Sequence, residues 1–305
     1  MKRSYAIGID IGGSSLKCGV VDDGGKLLYS FRFPIDQTYT QGEIIALIIA
    51  AVRKCAAQAP GKITGVGIGF PGIIDNNTVI GGADNLPDFI GVELGNIITA
   101  STHLNVTVDN DVNMMGIGEQ LYGAAVGCTD VVFLTVGTGI GGSLIINGQP
   151  YGGYKNRGAE MGHITISHGG KRCACGALGC LEAYASVKAL VSRYTELHGV
   201  SYSDEFTGQL IVKNYLAAEP HAVTAMHEHF DYLSSGIAGF VNIFSPQKVV
   251  IGGGISEAGS FYIKEIGNRV RRKTIPVSSK HTCIVAAQLG NQAGLLGCAA
   301  KAFMI

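Results

Sequence analysis

The stretch "SYAIGIDIGGSSLKCGVVDDGGKLLYSFRF", Ser4 to Phe33, decides the fold. Apolar and β-branched residues fill three runs, and the breaks between them are "GG" and "DDGG". The segment therefore reads as strand, Gly-Gly turn, strand, Asp-Gly-Gly turn, strand. The pattern restarts in "DVVFLTVGTGIGGSLIINGQP", Asp130 to Pro150, again strand, glycine turn, strand. Between the two lie apolar residues at helical spacing over Gln41 to Ala57, a strand in "ITGVGIGFPGIID" and a shorter one in "NVTVDND". A long helix around Val223 to Phe244 and the strand "KVVIGGG" follow. A strand-glycine-strand unit that occurs twice implies two related α/β domains, each opening with a β-hairpin.

Length and composition agree with two domains. The chain has 305 residues, enough for two cores. Basic and acidic residues balance at 23 each and make up only 15% of the chain, which leaves no electrostatic footprint for nucleic acid or a membrane surface. The longest apolar run, "IIALIIAAV" from Ile44 to Val52, is about half of a membrane span. The opening "MKRSYAIGIDIGG" lacks the apolar core of a signal peptide, so a cytoplasmic protein is expected. Glycine, at 45 residues, is not periodic and belongs where the backbone turns tightly or approaches a ligand.

Three glycine clusters have the chemistry of a phosphate cradle. "DIGGSSLK" places Asp10 at a strand end, then Gly12, Gly13, Ser14, Ser15 and Lys17. Exposed backbone N–H groups and hydroxyls there can hold phosphate oxygens, and the acid can hold hydrated Mg²⁺. "TVGTGIGG" repeats this logic with Thr138 and Gly139, and "IGGGIS" supplies Gly253 and Gly254 after a strand. None is a Walker A loop or a Rossmann turn between strand and helix. Two such hairpins fit an ATP clamp better than a dinucleotide site. "VDNDVN" ends a short strand with two candidate general bases, Asp109 and Asp111, and strand alternation alone gives both the same face.

"HITISHGGKRCACGALGCLE", His163 to Glu182, holds three of the eight cysteines. In a reducing compartment this reads as a metal site and not a disulfide knot. Cys173, Cys175 and Cys180 plus a histidine suit tetrahedral zinc, and spacing leaves His163 and His168 both open as the fourth ligand. The other cysteines, at 18, 55, 128, 283 and 298, read as single core residues. "HEHF" at His227 to Phe230 reads as an ordinary helix, and "RVRRK" at Arg269 to Lys273 as a solvated helix end.

Taken together, these segments resemble the ROK family of repressors, open reading frames and sugar kinases. The resemblance runs from "DIGGSSLKCGVVD" through "GFPGIID", "NLPDF", "DNDVN", "TVGTGIGGSLIINGQ" and "GAEMGH" to "CACGALGCLEAYAS" and "VVIGGG". It implies an actin-like fold of two ribonuclease-H-like domains with ATP and sugar in the cleft. The first domain would be residues 1–113 with a returning C-terminal helix at about 288–305, and the second 114–287. It implies a zinc- and Mg²⁺-dependent, ATP-using hexose kinase, with glucose favoured, acting as a homodimer. Asp111 would be the catalytic base. Gly72, Asn85, Asn110, Glu160, His163 and Glu182 would line the sugar pocket, and His163 would be the fourth zinc ligand. An N-acetylhexosamine kinase differs from this only in pocket shape. A sugar-sensing repressor would carry a helix-turn-helix before the first hairpin, and here "DIGG" begins at residue 10. The chain departs from the family pattern at Asp109, where Glu is common, and in "NLPDF", where a tryptophan commonly follows Asn-Leu.

Overall fold

The computed structural model describes every residue except Met1, Lys2, Gln37, Asp84, Asn85 and Asp204. The chain forms two compact units. Unit 1 comprises Met1–Gly127, Pro150–Gly158 and Gln288–Ile305, and unit 2 comprises Cys128–Gln149 and Ala159–Ala287.

Unit 1 starts with the three strands read from the sequence, β1 (Tyr5–Ile11), β2 (Ser15–Asp22) and β3 (Leu27–Pro34). Helix α1 (Gln41–Gln58) follows, opened by a reciprocal capping box between Thr40 and Glu43. Then come β4 (Ile63–Phe70), a small ribbon of β5 (Ile73–Asp75) and β6 (Thr78–Gly81), α2 (Leu94–Thr102), β7 (Val106–Asn110) and α3 (Asp111–Tyr122). The main sheet has the order β3-β2-β1-β4-β7, with an antiparallel β1–β2–β3 meander and parallel β1–β4 and β4–β7 pairs.

Unit 2 repeats this plan. β8 (Val131–Val136), β9 (Ile140–Ile146) and the short β10 (Gln149–Pro150) lead into α4 (Glu182–Ala185), α5 (Val187–Leu197), α6 (Gly208–Leu216) and the 25-residue α7 (Pro220–Phe244). β11 (Lys248–Gly252), α8 (Ser260–Lys273), α9 (Pro276–Ser279) and β12 (Cys283–Ala286) complete it. Its sheet order, β10-β9-β8-β11-β12, matches that of unit 1 strand for strand. The last helix, α10 (Ala293–Ala302), belongs to unit 1.

The residues that pack unit 1 alternate along β1 and β4. Ile7, Ile9, Ile11, Val66, Ile68 and Phe70 face one way and bury against α1 and α2. Each such side chain contributes roughly 1.5–3 kcal/mol by leaving water. The intervening positions are Ala6, Gly8, Gly65 and Gly67, and on that face α10 lies directly on the strands. A Cβ at Gly67 would overlap the carbonyl of Cys298, and one at Gly297 would overlap the carbonyl of Met114 on α3. "VGIGF" is thus a two-sided code, bulk for one helix layer and bare backbone for the other. Where the chain re-enters unit 1, the buried Glu119 carboxylate accepts the N–H groups of Gln288, Leu289 and Ala124.

Several residues read as ordinary are placed differently. Arg269 is buried, because α8 packs on α7; it pairs with Asp231 at 3.0 Å and with Glu265, and covers the Phe230 ring. Arg271, Arg272 and Lys273 are exposed. Cys283 is exposed at the start of edge strand β12 and Cys128 is half-buried, so neither is a core residue; Cys18 and Cys55 touch each other and are not isolated. Among the described residues no helix is long and apolar enough to cross a membrane.

Candidate active site

In unit 1 the first glycine turn closes with the Gly12 N–H donating to the Ser15 carbonyl at 3.0 Å, while the Ser14 carbonyl accepts from Ile35. Gly13 and Ser14 line an open cavity of about 720 Å³. Asp10 sits opposite Lys17 in the β1–β2 register, and Lys17 Nζ lies 3.4 Å from its Oδ2. Burial raises the Asp10 carboxyl above its ordinary value, against the pull of Lys17. Such a carboxylate gains from a further cation.

The two acids of "VDNDVN" are separated by the end of β7. Asn110 is the N-cap of α3, its Oδ1 accepting from Val112 N at 2.9 Å and Asn113 N at 3.1 Å. Its Nδ2 donates to the Gly72 carbonyl at 2.9 Å. Asp109, the penultimate strand residue, is buried, and its Oδ1 accepts from Asn110 N, Asn113 Nδ2 and Asn156 Nδ2 at 2.7 to 3.1 Å. Its Oδ2 is 3.9 Å from Lys301 Nζ. Asp111 instead opens the helix, half-buried, with Oδ1 accepting from Val112 N at 3.0 Å. The shared face expected from alternation is absent because the strand stops at Asn110. Asn156, which sequence reading missed, also donates to the Ile74 carbonyl. No pattern in "YKNRG" announces it. Gly72 holds a φ of 122°, which only glycine takes without strain. Asn85 lies outside the described residues.

In unit 2 the four expected metal ligands come together. The ligand atoms of His163, Cys173, Cys175 and Cys180 all lie within 4.8 Å of one another. Cys173 Sγ is 3.7 Å from His163 Nδ1, and Cys175 Sγ is 3.7 Å from Cys180 Sγ, with all thiols free. A knuckle made by Cys173 N–H to Ala177 O and Gly176 N–H to Cys173 O folds "CACGALGC" back on itself. His168 is exposed and outside the group. Burial and the neighbouring thiols push the Cys180 thiol up to about 12, so three thiolates at this spacing call for a cation.

Glu182 connects this cluster to the second glycine turn. Its Oε2 accepts from Ile140 N at 2.8 Å and its Oε1 lies 3.7 Å from Cys173 Sγ. A Cβ at Gly139 would overlap that carboxylate. Glu160 is exposed just before the 3₁₀ turn Met161–His163, where its carbonyl accepts from His163 N. The third cluster also closes on this hairpin, since Gly253 packs against the Val136 carbonyl. Thr138 and Gly254 line a cavity of about 420 Å³ with Gly137, Thr207, Val212 and Ile255. The wall from α6 and its N-cap Thr207 holds a single glycine, Gly208, and no cluster, and was not legible in the sequence. "HEHF" behaves as an ordinary helix, with His227 exposed and His229 buried against Tyr262.

The ROK family model matches residues 6–303. A glucokinase of Thermotoga maritima is 32% identical over 98% of this chain and 97% of its own length, and one of Streptomyces coelicolor is 33% identical over 96% of each. Among solved structures, a ROK family glucokinase from Streptomyces griseus in complex with glucose and AMPPNP superposes with a TM-score of 0.81 at 33% identity, over 99% of this chain and 100% of that one. The fold is the actin-like one that the resemblance implies. The chain belongs to the ROK family.

Proposed function

We propose that the chain is an ATP-dependent sugar kinase that phosphorylates a hexose, glucose by preference, at the 6-hydroxyl. The observation that carries the mechanism is the division of labour between two adjacent acids. Asp109 is buried and accepts three N–H donors beside Lys301, and Asp111 is half-buried at the start of α3, where the chain leaves the strand. Asp111 orients the attacking hydroxyl and accepts its proton as the phosphoryl group leaves ATP. Asn110 and Gly72, already bonded to each other, hold the sugar side of unit 1.

Glu160, His163 and Glu182 bind further sugar hydroxyls. His163 turns Nδ1 to the thiols, which leaves Nε2 for a hydroxyl. Zinc would be held by His163, Cys173, Cys175 and Cys180, and would supply the positive charge that lets the thiols ionise and fixes the ring. It is a staple for the pocket. Gly12, Gly13, Ser14, Ser15 and Lys17 contact the phosphates, and the cavity lined by Thr138 and Gly254, with Gly139 and Gly253 next to them in the chain, receives the nucleoside. Asp10 would hold the Mg²⁺ carried with ATP, which would supply positive charge against the phosphoryl oxygens. The free thiols suit the cytoplasm, and the assembly is a homodimer.

A panel of sugars tested with ATP decides the reading. We expect glucose to give the highest kcat/KM among glucose, mannose, fructose, N-acetylglucosamine and N-acetylmannosamine, because a site built around hydroxyls discriminates against analogues that leave buried partners unpaired. An N-acetylated sugar ahead of every plain hexose would replace it with a hexosamine kinase. Sugar binding with no phosphoryl transfer to any of the five would point to a sensor in place of an enzyme.

A further inference from the structure

Among the described residues a second group has metal-ligand spacing, far in sequence from the cysteines: His198, Glu219 and His221. His198 caps the C-terminus of α5, Glu219 is the N-cap of α7 and His221 stands in the first turn of α7. The Glu219 carboxylate caps its helix, accepting from His221 N at 2.9 Å and Ala222 N at 2.7 Å. Both imidazoles approach the outer side of Glu219 Oε1, His198 Nε2 at 3.9 Å and His221 Nδ1 at 3.8 Å. Those separations are too long for hydrogen bonds.

His221 Nδ1 is buried and has no hydrogen-bond partner, a costly state for a ring nitrogen. The two rings meet edge to face at 4.4 Å, and Tyr194 packs on His198 from the other side at 4.5 Å, so the orientation is held by packing. Ligands about 2.1 Å from a tetrahedral ion stand roughly 3.4 Å apart, about half an ångström closer than the two nitrogen–oxygen separations here, and all three ligand atoms lie within 4.8 Å of one another.

We propose that His198, Glu219 and His221 bind a divalent transition-metal ion of the zinc, cobalt or nickel type. Two imidazoles and one carboxylate favour these borderline ions over Mg²⁺ or Ca²⁺, which prefer all-oxygen shells. Three protein ligands leave the remaining position to water. The site clamps the two ends of the excursion that carries α6, because α6 lies between His198 and Glu219 in the chain. Thr207 and Val212 of that excursion form one wall of the 420 Å³ cavity, so the ion stiffens that wall. The proposal does not depend on what the cavity binds.

Equilibrium dialysis of the whole protein against excess Zn²⁺, with elemental analysis, tests the site. Wild type should hold one more zinc per chain than His198→Gln or His221→Gln, and the same dialysis against Mg²⁺ should show no difference. Equal zinc content in the three proteins overturns the site, and because the cysteine cluster is intact in all of them it cancels from the comparison. Hydrogen exchange tests the clamp. With zinc at ten times its dissociation constant, amides of α6 that exchange by local opening should slow about tenfold in wild type and not in His221→Gln. Unchanged α6 exchange in zinc-loaded wild type overturns the clamp even if the ion binds.

Discussion

The two units share a sheet order and differ in what they place at the same point of it. In unit 1, Asp10 lies beside Gly69 of the neighbouring parallel strand; in unit 2 the residue in that relation, beside Gly252, is Thr135. One hairpin therefore carries a buried carboxylate and the other a hydroxyl. The missing acid next to the second turn comes from elsewhere in the chain, as Glu182 on α4 bonded to Ile140 N. The units also differ in how they bury helices, unit 1 with bare glycine against α10 and unit 2 with large side chains such as Phe230, Leu233 and Tyr262 around α7. A repeated sheet thus fixes where a turn stands and leaves its chemistry open.

The strongest way to break this contrast is to remove the acid that the proposal makes catalytic. Asp111→Asn keeps the shape and loses the base, so kcat with glucose should fall by about 10²–10⁴-fold while zinc content and nucleotide binding persist. Asp109→Asn should cost kcat far less and stability more, because Asp109 accepts from Asn110, Asn113 and Asn156. Near-normal turnover by Asp111→Asn, or a dead Asp109→Asn, reverses the assignment.

Metal removal tests unit 2 in turn. Purified wild type should carry about one zinc per chain at the cysteine cluster, and Cys175→Ala should lose it with a lower Tm, since metal affinity at such a site is folding free energy. Its effect should fall on sugar KM through His163 and Glu182. Less than about a third of a zinc in fully active wild type would remove the staple from the scheme.

How much of this could be read beforehand follows from range. The strands, the glycine turns and the cysteine knuckle are written in consecutive residues, so "VGIGF" and "CACGALGC" announce themselves. Contacts between distant segments are not written that way. Nothing near Glu119 predicts that it receives the chain at Gln288 and Leu289, and nothing in "YKNRG" predicts that Asn156 bonds Asp109. The Asp109 and Asp111 pair could not be separated by strand alternation for a local reason, since alternation holds only while the strand lasts, and Asn110 ends it with a helix cap. His163 and His168 were indistinguishable by spacing, and in the structure only His163 joins the three thiols.

Acidity separates the units further, with opposite signs. His229 in unit 2 is fully buried, and burial alone pushes its imidazole down to about 4. A depressed value means that the folded state resists protonation. His229 therefore contributes stability that is present above the unfolded value near 6.5 and lost as pH falls toward 4. That interval is worth ~3 kcal/mol. His229→Gln should flatten the loss of stability between those pH values, measured by denaturant melts, although it also disturbs the 2.7 Å bond to Tyr262. An unchanged slope would mean that other groups govern the acid transition.

The smallest effect on stability belongs to Asp10, and its sign is the reverse. Burial raises its carboxyl above the ordinary 3.8 despite Lys17, so the folded state binds this proton more readily than the unfolded chain. Its contribution is fully present below 3.8 and is lost as pH rises through the raised value. At neutral pH the ionised Asp10 is accordingly a liability for folding, kept in a position where phosphoryl chemistry needs charge. Asp10→Asn removes the charge at nearly constant volume, and Lys17, a third exposed, keeps its hydration. The variant should melt slightly higher than wild type at pH 7, with the gap closing as pH drops below 3.8, while ATP-dependent turnover collapses. The equivalent change in unit 2, Thr135→Val, should show no such pH-dependent gap, having no charge to remove. If Asp10→Asn is instead less stable at pH 7, the ion pair with Lys17 outweighs the desolvation of the acid. Asp10 would then be a structural residue of its hairpin as well as a ligand.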